Sequence, residues 1–340
     1  MKKTTQTYIL GIVTLILIVL AAYTLLPKQS ENHTDQQGQS KDLETVSLAM
    51  NPVPHSVHIY IALEKGYFAE QGLDIKVHKF ASGKQALDTL LAGGADIATT
   101  ADFPLTLAGL SGQEVYVTAM MGHFNDMKVI ARNDFIDSLQ DLRGKRIATK
   151  KGGGGEFFMY KLLDKESISL DSVDIYYVDP PDMPAALVRG DIDAFIIWEP
   201  YVSKAKKDLG DAVIVFSPKD IYGETWNLAV NKDFDAENPE AVKKFLKAII
   251  KADNFFQNNR QESIEITMKH TGAEKDIINY VLDSAQSGFG LSSVLPDQME
   301  EAAEWLIEKD VVNNDEIPDY DAMIKPDYLN ELKPDSVALT

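Results

Sequence analysis

Several short stretches of this chain carry side chains suited to holding a small molecule. "IIWEPY" (196–201) closes an apolar run with Trp198 and Glu199, just before Pro200. An indole at a strand end can stack on a planar molecule or cover its apolar part while its N–H finds an acceptor. A neighbouring carboxylate accepts hydrogen bonds from an amine or ring N–H, or pairs with a cation. The structural alternative puts Trp198 in the core and makes Glu199 a cap for the helix that Pro200 begins. A second stretch, Gly152 to Gly155, precedes a helix expected from Glu156. There Gly153, Gly154 and Gly155 let backbone N–H groups approach a ligand at a helix N-terminus, which favours negative charge or acceptors. A ligand-free turn is the alternative. No Gly-Lys-Ser/Thr follows, so this is not a nucleotide P-loop.

Weaker candidates lie elsewhere. Ser82 and Gly83 sit between a strand and a helix, where the Ser82 hydroxyl either caps the helix or meets the ligand. His55 stands with Asn51, Pro54 and Ser56 at the first strand–helix turn. His55 and His58 are three apart, a spacing metals use, but no matching cluster is visible, so no metal is expected. Thr100, Asp102 and Phe103 follow another strand, with capping the role favoured for Asp102. His123, Phe124 and Asn125 follow a strand read at 115–121, as one cleft wall. Trp226 is a third aromatic, with a place in the hinge as its alternative. Asp102 and Glu199 together would repel a bare anion, so a neutral or zwitterionic organic ligand fits both carboxylates and the glycine-rich helix start.

The composition narrows the classes. The chain has 340 residues, 45% hydrophobic and 25% charged, with a net charge of −19. Nucleic acid is not an expected partner for so acidic a protein. The absence of cysteine removes disulfides, thiolate metal sites and cysteine nucleophiles. Lys2 and Lys3 precede an uncharged apolar run over 8–26. About 20 such residues span a bilayer, whereas a signal-peptide core is about 7–15 long. Residues 1–27 therefore read as a signal peptide or membrane anchor, with run length favouring the anchor, and 28–43 as a polar linker. Either reading places the remainder outside the cytoplasm, at the periplasmic or extracytoplasmic face of the membrane. No cytoplasmic output domain is expected ahead of so early a run.

Positioning these residues requires strands alternating with helices. "TVSLAM", "LDIKVHKF", "DIATT", "EVYVTAMM", "VDIYYV", "DAFIIW" and "AVIVF" read as strands, with a further one near 146–149. "SVHIYIALEKGYF" (56–68), "KQALDTLLAGG", "GEFFMYKLLDK" and "MPAALVRG" read as helices between them. This alternation argues for parallel α/β sheets. "TLLAGGADIATTADFP" (89–104) and "ALVRGDIDAFIIWEP" (186–200) share one plan, with Asp96 answering Asp193. From about Asn238 the chain is helical, with Val242, Phe245, Leu246 and Ile249 at helical spacing.

In order along the chain, "EKGYFAEQGLDIKV", "FASGKQALDTLLAGGADIA", "LQDLRGKRIAT", "ALVRGDIDAFIIWEPY" and "NKDFDAENPEAVKKFLKA" resemble the substrate-binding proteins of ABC importers of the nitrate/sulfonate/taurine type. Those share their domain with thiamine-pyrimidine-synthesis proteins. The resemblance implies an α/β fold, a two-lobed periplasmic-binding-protein-like (type II) clamshell. One lobe would hold 44–130 and 225–340, the other 131–224. Crossover strands "KVIAR" (128–132) and "NLAVN" (227–231) would form the hinge. The implied function is non-enzymatic: capture of a small organic molecule in the inter-lobe cleft and delivery to a permease and its ATPase, with no cofactor. A module reporting to a separate sensor is the alternative. A pyrimidine-synthesis enzyme is disfavoured, since those enzymes carry a cysteine-rich iron motif.

Overall fold

The computed structural model describes residues 43–339. The apolar N-terminal run, read above as signal or anchor, lies outside the described residues, as does the linker up to residue 42. Among the described residues no helix is long and apolar enough to cross a membrane.

Eleven strands build two sheets. In chain order they are β1 (Glu44–Met50), β2 (Leu73–Lys79), β3 (Ile97–Ala101), β4 (Tyr116–Phe124), β5 (Lys128–Arg132) and β6 (Arg146–Thr149). β7 (Asp174–Tyr177), β8 (Ala194–Ile197), β9 (Val213–Phe216), β10 (Glu224–Val230) and β11 (Ala285–Ser287) follow. One sheet runs β11-β4-β10-β3-β1-β2 and the other β7-β6-β8-β5-β9. Helices α1 (Val57–Glu64), α2 (Gly83–Leu91) and α3 (Asp102–Leu110) connect strands of the first sheet, and α4 (Gly154–Lys165), α5 (Met183–Arg189) and α6 (Tyr201–Leu209) those of the second.

The shared plan read at 89–104 and 186–200 is a shared topology. Each sheet has three parallel strands in the order second-first-third, β2-β1-β3 and β7-β6-β8, flanked by an antiparallel strand, β10 or β5. Asp96 and Asp193 do the same work in each. Asp96 Oδ2 accepts from the Ser47 N–H and hydroxyl, both at 2.7 Å, tying β3 to β1. Asp193 accepts from the Arg146 N–H at 2.9 Å and from its guanidinium at 2.6 Å, tying β8 to β6. The inner strands β3 and β8 are buried throughout, as strands covered on both faces must be.

Three expectations change. "KVIAR" is not a crossover: all of β5 pairs within the second sheet. "NLAVN" lies at the end of β10 and just beyond it, in the first sheet. The chain instead changes sheets at 125–127 and at 217–223. The single helix expected over 56–68 is broken, because Gly66 adopts φ +71° and starts a separate turn.

The C-terminal third packs on the first sheet. Helices α7 (Pro239–Asn258), α8 (Arg260–Thr271), α9 (Lys275–Asp283) and α10 (Val294–Glu308) follow β10. Val242, Phe245, Leu246 and Ile249 of α7 are at most 1% exposed, and Phe245 meets Phe68 at 4.8 Å between ring centroids. Burial of such side chains stabilises by about 1.5–3 kcal/mol each.

Candidate functional site

The strand ends of the two sheets meet. Phe103, at the start of α3, stacks on Phe157 of α4 with centroids 5.0 Å apart and planes at 12°. Phe157 in turn meets Tyr222 edge-on at 5.1 Å. Between these elements lies a cluster of buried acids. His55 comes from the turn after β1, Asp126 from the first crossing and Glu224 from the first position of β10. One ligand atom from each lies within 4.8 Å of the others, and all three residues are at most 2% exposed. His55 Nε2 is 3.1 Å from Asp126 Oδ1, while Asp126 Oδ2 accepts from the Glu199 N–H at 3.3 Å.

Asp102 belongs to the same region. Its Oδ1 accepts from the Tyr222 hydroxyl at 2.6 Å and the Thr225 N–H at 3.1 Å. Burial raises its pKa to about 7 against the pull of those bonds. Burial also raises Glu224 well above the usual carboxylate range, helped by the charges of Asp126 and Asp102. Among the described residues no lysine or arginine pairs with Asp102, Asp126 or Glu224. Buried charge without a partner is costly, so Asp102 and Glu224 hold their protons more tightly than free carboxyls do.

Several buried polar atoms of the same chain segments are also unpaired. Trp198 is 5% exposed, yet its Nε1 has no acceptor. His55 Nδ1 and Asn51 Oδ1 are buried without partners as well. Each such atom costs about 1–3 kcal/mol, and native interiors seldom leave several together.

The glycine loop faces the cluster. The helix begins at Gly154, two residues before the expected start. A Cβ on Gly154 would overlap Glu224 Oε2 and press on Met127. Gly155 lies against Ile196 O and Thr149, and Gly153 against Lys150. Absent side chains thus let α4 approach β10.

Other expected contacts are occupied or elsewhere. Glu199 accepts from Lys128 Nζ at 2.6 Å and from the Ser203 hydroxyl and N–H at 2.9 and 3.0 Å. Its carboxylate is spent on Lys128 and the first turn of α6, which is the capping alternative. Ser82 Oγ accepts from the Gln85 N–H at 3.3 Å and caps α2. Gly83 lies under the Trp226 ring, whose N–H donates to Ser56 Oγ at 2.9 Å. His123 and Phe124 lie inside β4, which is longer than expected. His123 Nε2 is 3.4 Å from Gln298, and burial lowers its pKa. Asn125 is exposed. His55 and His58 do not converge, since His58 Nε2 turns to Asp253 at 3.4 Å.

Sequence reading missed Asp126, Glu224 and Tyr222. The signal available was a carboxylate at the head of an otherwise apolar strand, "ETWNLAV". Two cavities open beside the cluster's neighbours. One of about 490 Å³ is lined by Phe103, Gly152, Glu156, Tyr160 and Tyr177 among others. The other, about 900 Å³, is lined by Lys128, Glu199, Tyr201, Lys207 and Glu274 among others.

Comparison with known proteins gives this geometry a context. The family model described as NMT1/THI5 like matches residues 53–263, more than half of the chain. A candidate binding protein of Brucella abortus (strain 2308) is 32% identical over 218 residues, covering 63% of this chain and 67% of that one. The taurine-binding periplasmic protein of Escherichia coli (strain K12) is 29% identical over 187 residues, 54% of this chain and 58% of its own. Among solved structures, the alkanesulfonate-binding protein from Xanthomonas axonopodis pv. citri, bound to MOPS, superposes with a TM-score of 0.72 at 16% identity. That match covers 84% of this chain and 99% of the other, and the two share the periplasmic-binding-protein α/β fold.

Proposed function

The chain belongs to the NMT1/THI5-like family, and we propose that it is an extracytoplasmic solute-binding protein that feeds a small organic molecule to an ABC permease and its ATPase. The N-terminal apolar run would tether it to the membrane. Residues 128–216 would form one lobe and the rest of the described chain the other, hinged at 125–127 and 217–223. The solute enters between the sheets and closure buries it. Its binding energy biases the equilibrium towards the closed form, which the permease recognises.

One observation supports this reading: where the two sheets meet, His55, Asp126 and Glu224 lie together with no described lysine or arginine paired to them, Asp126 reaches the Glu199 N–H at the end of β8, and the adjoining segments carry unpaired buried polar atoms. Trp198 Nε1 needs an acceptor, while Asn51 Oδ1 and the Glu224 carboxylate need donors or positive charge. The taurine- and alkanesulfonate-binding relatives set the size class of the solute. A bare sulfonate would meet acidic side chains with no described lysine or arginine paired to them, so the solute brings donors or arrives with a countercharge. The chain supplies no cysteine nucleophile, and no reaction is assigned to it. Because one fold can host both binding and catalysis, the test concerns binding itself.

The test is a thermal-shift screen of the full chain in mild detergent. The panel holds taurine, alkanesulfonates, nitrate, aminopyrimidines and aromatic acids, each with and without divalent metal. A solute at 100 times its Kd stabilises by about 2.7 kcal/mol. A shift that Trp198→Ala abolishes is expected. No shift with any compound under either condition would overturn the reading.

A further inference from the structure

We propose that His55, Asp126 and Glu224 form a divalent transition-metal site in the cleft, with the open coordination position left to the solute or to water. One imidazole nitrogen and two carboxylates are the donor set that Zn²⁺ and its first-row neighbours take from proteins. Three protein donors with one position open is the arrangement of sites that bind a further molecule. The ligand atoms come from three separate segments, the turn after β1, the first crossing and the head of β10, yet lie within 4.8 Å of one another. Metal bonds near 2 Å need contraction of this set, and His55 Nε2 and Asp126 Oδ1 already stand 3.1 Å apart.

Glu224 is the independent observation. It is 2% exposed, and no described donor reaches its carboxylate, whose neighbours are the negative charges of Asp126 and Asp102. A buried carboxyl that no donor reaches either stays neutral or takes a cation in place of its proton. Asp126 is held from behind, as metal ligands are, whereas the His55 ring is fixed by packing and its Nδ1 has no partner. The Glu199 N–H fixes the second Asp126 oxygen. Phe124 packs edge-on against the His55 ring at 4.5 Å and 76°, and Trp226 flanks it at 5.7 Å. Gly154 makes room for the Glu224 carboxylate, since a Cβ there would overlap Glu224 Oε2. A dication bound there replaces the cluster's protons and offers positive charge to an anionic or zwitterionic solute. This deepens the solute-binding reading and rests on it only for the role of the open position.

The experiment is a Co²⁺ titration of the full chain in mild detergent, stripped with EDTA and dialysed. Saturable absorption of low-coordinate Co²⁺ at one equivalent, displaced by Zn²⁺, is expected. Glu224→Gln and His55→Gln should each weaken binding by roughly 100-fold or more, with far-UV circular dichroism unchanged. If a variant misfolds, Asp126→Asn provides the same readout. The proposal is overturned if only the spectrum of hexaaqua Co²⁺ is seen, or if all variants bind as the parent does. It is also overturned if a solute from the screen binds fully in EDTA and loses binding in Glu224→Gln, because the cluster then holds an organic cation. That last result leaves the solute-binding reading intact.

Discussion

Replacing Asp102 with Asn should remove a large part of the protein's destabilisation at rising pH. In the folded chain this carboxyl has a pKa of about 7 against an ordinary 3.8, chiefly because it is buried. Between these values the folded state holds the proton and the unfolded state does not, so stability falls as pH rises. The favourable contribution is complete below about pH 4 and lost above about pH 7. A shift of about three units at 1.36 kcal/mol each gives roughly 4 kcal/mol across the window, and about 2.3 kcal/mol between pH 5 and 7. Asparagine keeps an oxygen for the Tyr222 and Thr225 donors that Asp102 Oδ1 now accepts. Urea unfolding of parent and variant in EDTA at pH 5, 6, 7 and 8 gives the difference directly. Groups away from Asp102 contribute alike to both proteins and cancel, while Glu224, which loses the repulsion of Asp102, is raised less in the variant. The variant should lose less stability than the parent across the range, by about the amount worked above. Parallel curves would refute the claim that Asp102 is buried protonated in this cleft.

Gly154→Ala should lower the melting temperature and weaken solute binding at least tenfold by calorimetry, because the new Cβ would overlap Glu224 Oε2 and press on Met127, displacing the Glu224 carboxyl. Lys128→Met should destabilise by about 3–5 kcal/mol in urea unfolding, since Glu199, 1% exposed, would lose its 2.6 Å partner; adding Glu199→Gln should recover much of that loss. Asp193→Ala frees the Arg146 N–H and guanidinium and should cost about 1–3 kcal/mol, with faster hydrogen exchange in β6 than in β1.

Much of this architecture is legible in the sequence because its causes are local. The glycine-then-Asp step before each inner strand is visible at Asp96 and Asp193, and each Asp makes the same clasp on the neighbouring strand. The apolar face of α7 follows from spacing alone. The change of sheet was misplaced because the strands on either side of each crossing look alike; only pairing partners separate β4 from β5. The site was harder still. Trp198 and Gly154 stand out by residue type, but Glu199 sits one position away and is consumed by Lys128 and Ser203. Asp126 and Glu224 are 98 residues apart and become neighbours only through the two crossings. Their significance lies in what does not surround them, and no sequence pattern encodes a missing partner.

The most direct test follows the indole N–H groups. The chain has three tryptophans, and ¹⁵N-indole labelling gives one resonance for each. Trp226 is already bonded to Ser56, whereas Trp198 Nε1 has no acceptor. On addition of a solute found in the screen, the Trp198 N–H signal should move downfield as it gains an acceptor, with Trp226 moving much less. A bound solute that leaves the Trp198 resonance in place would contradict the account and put the site elsewhere.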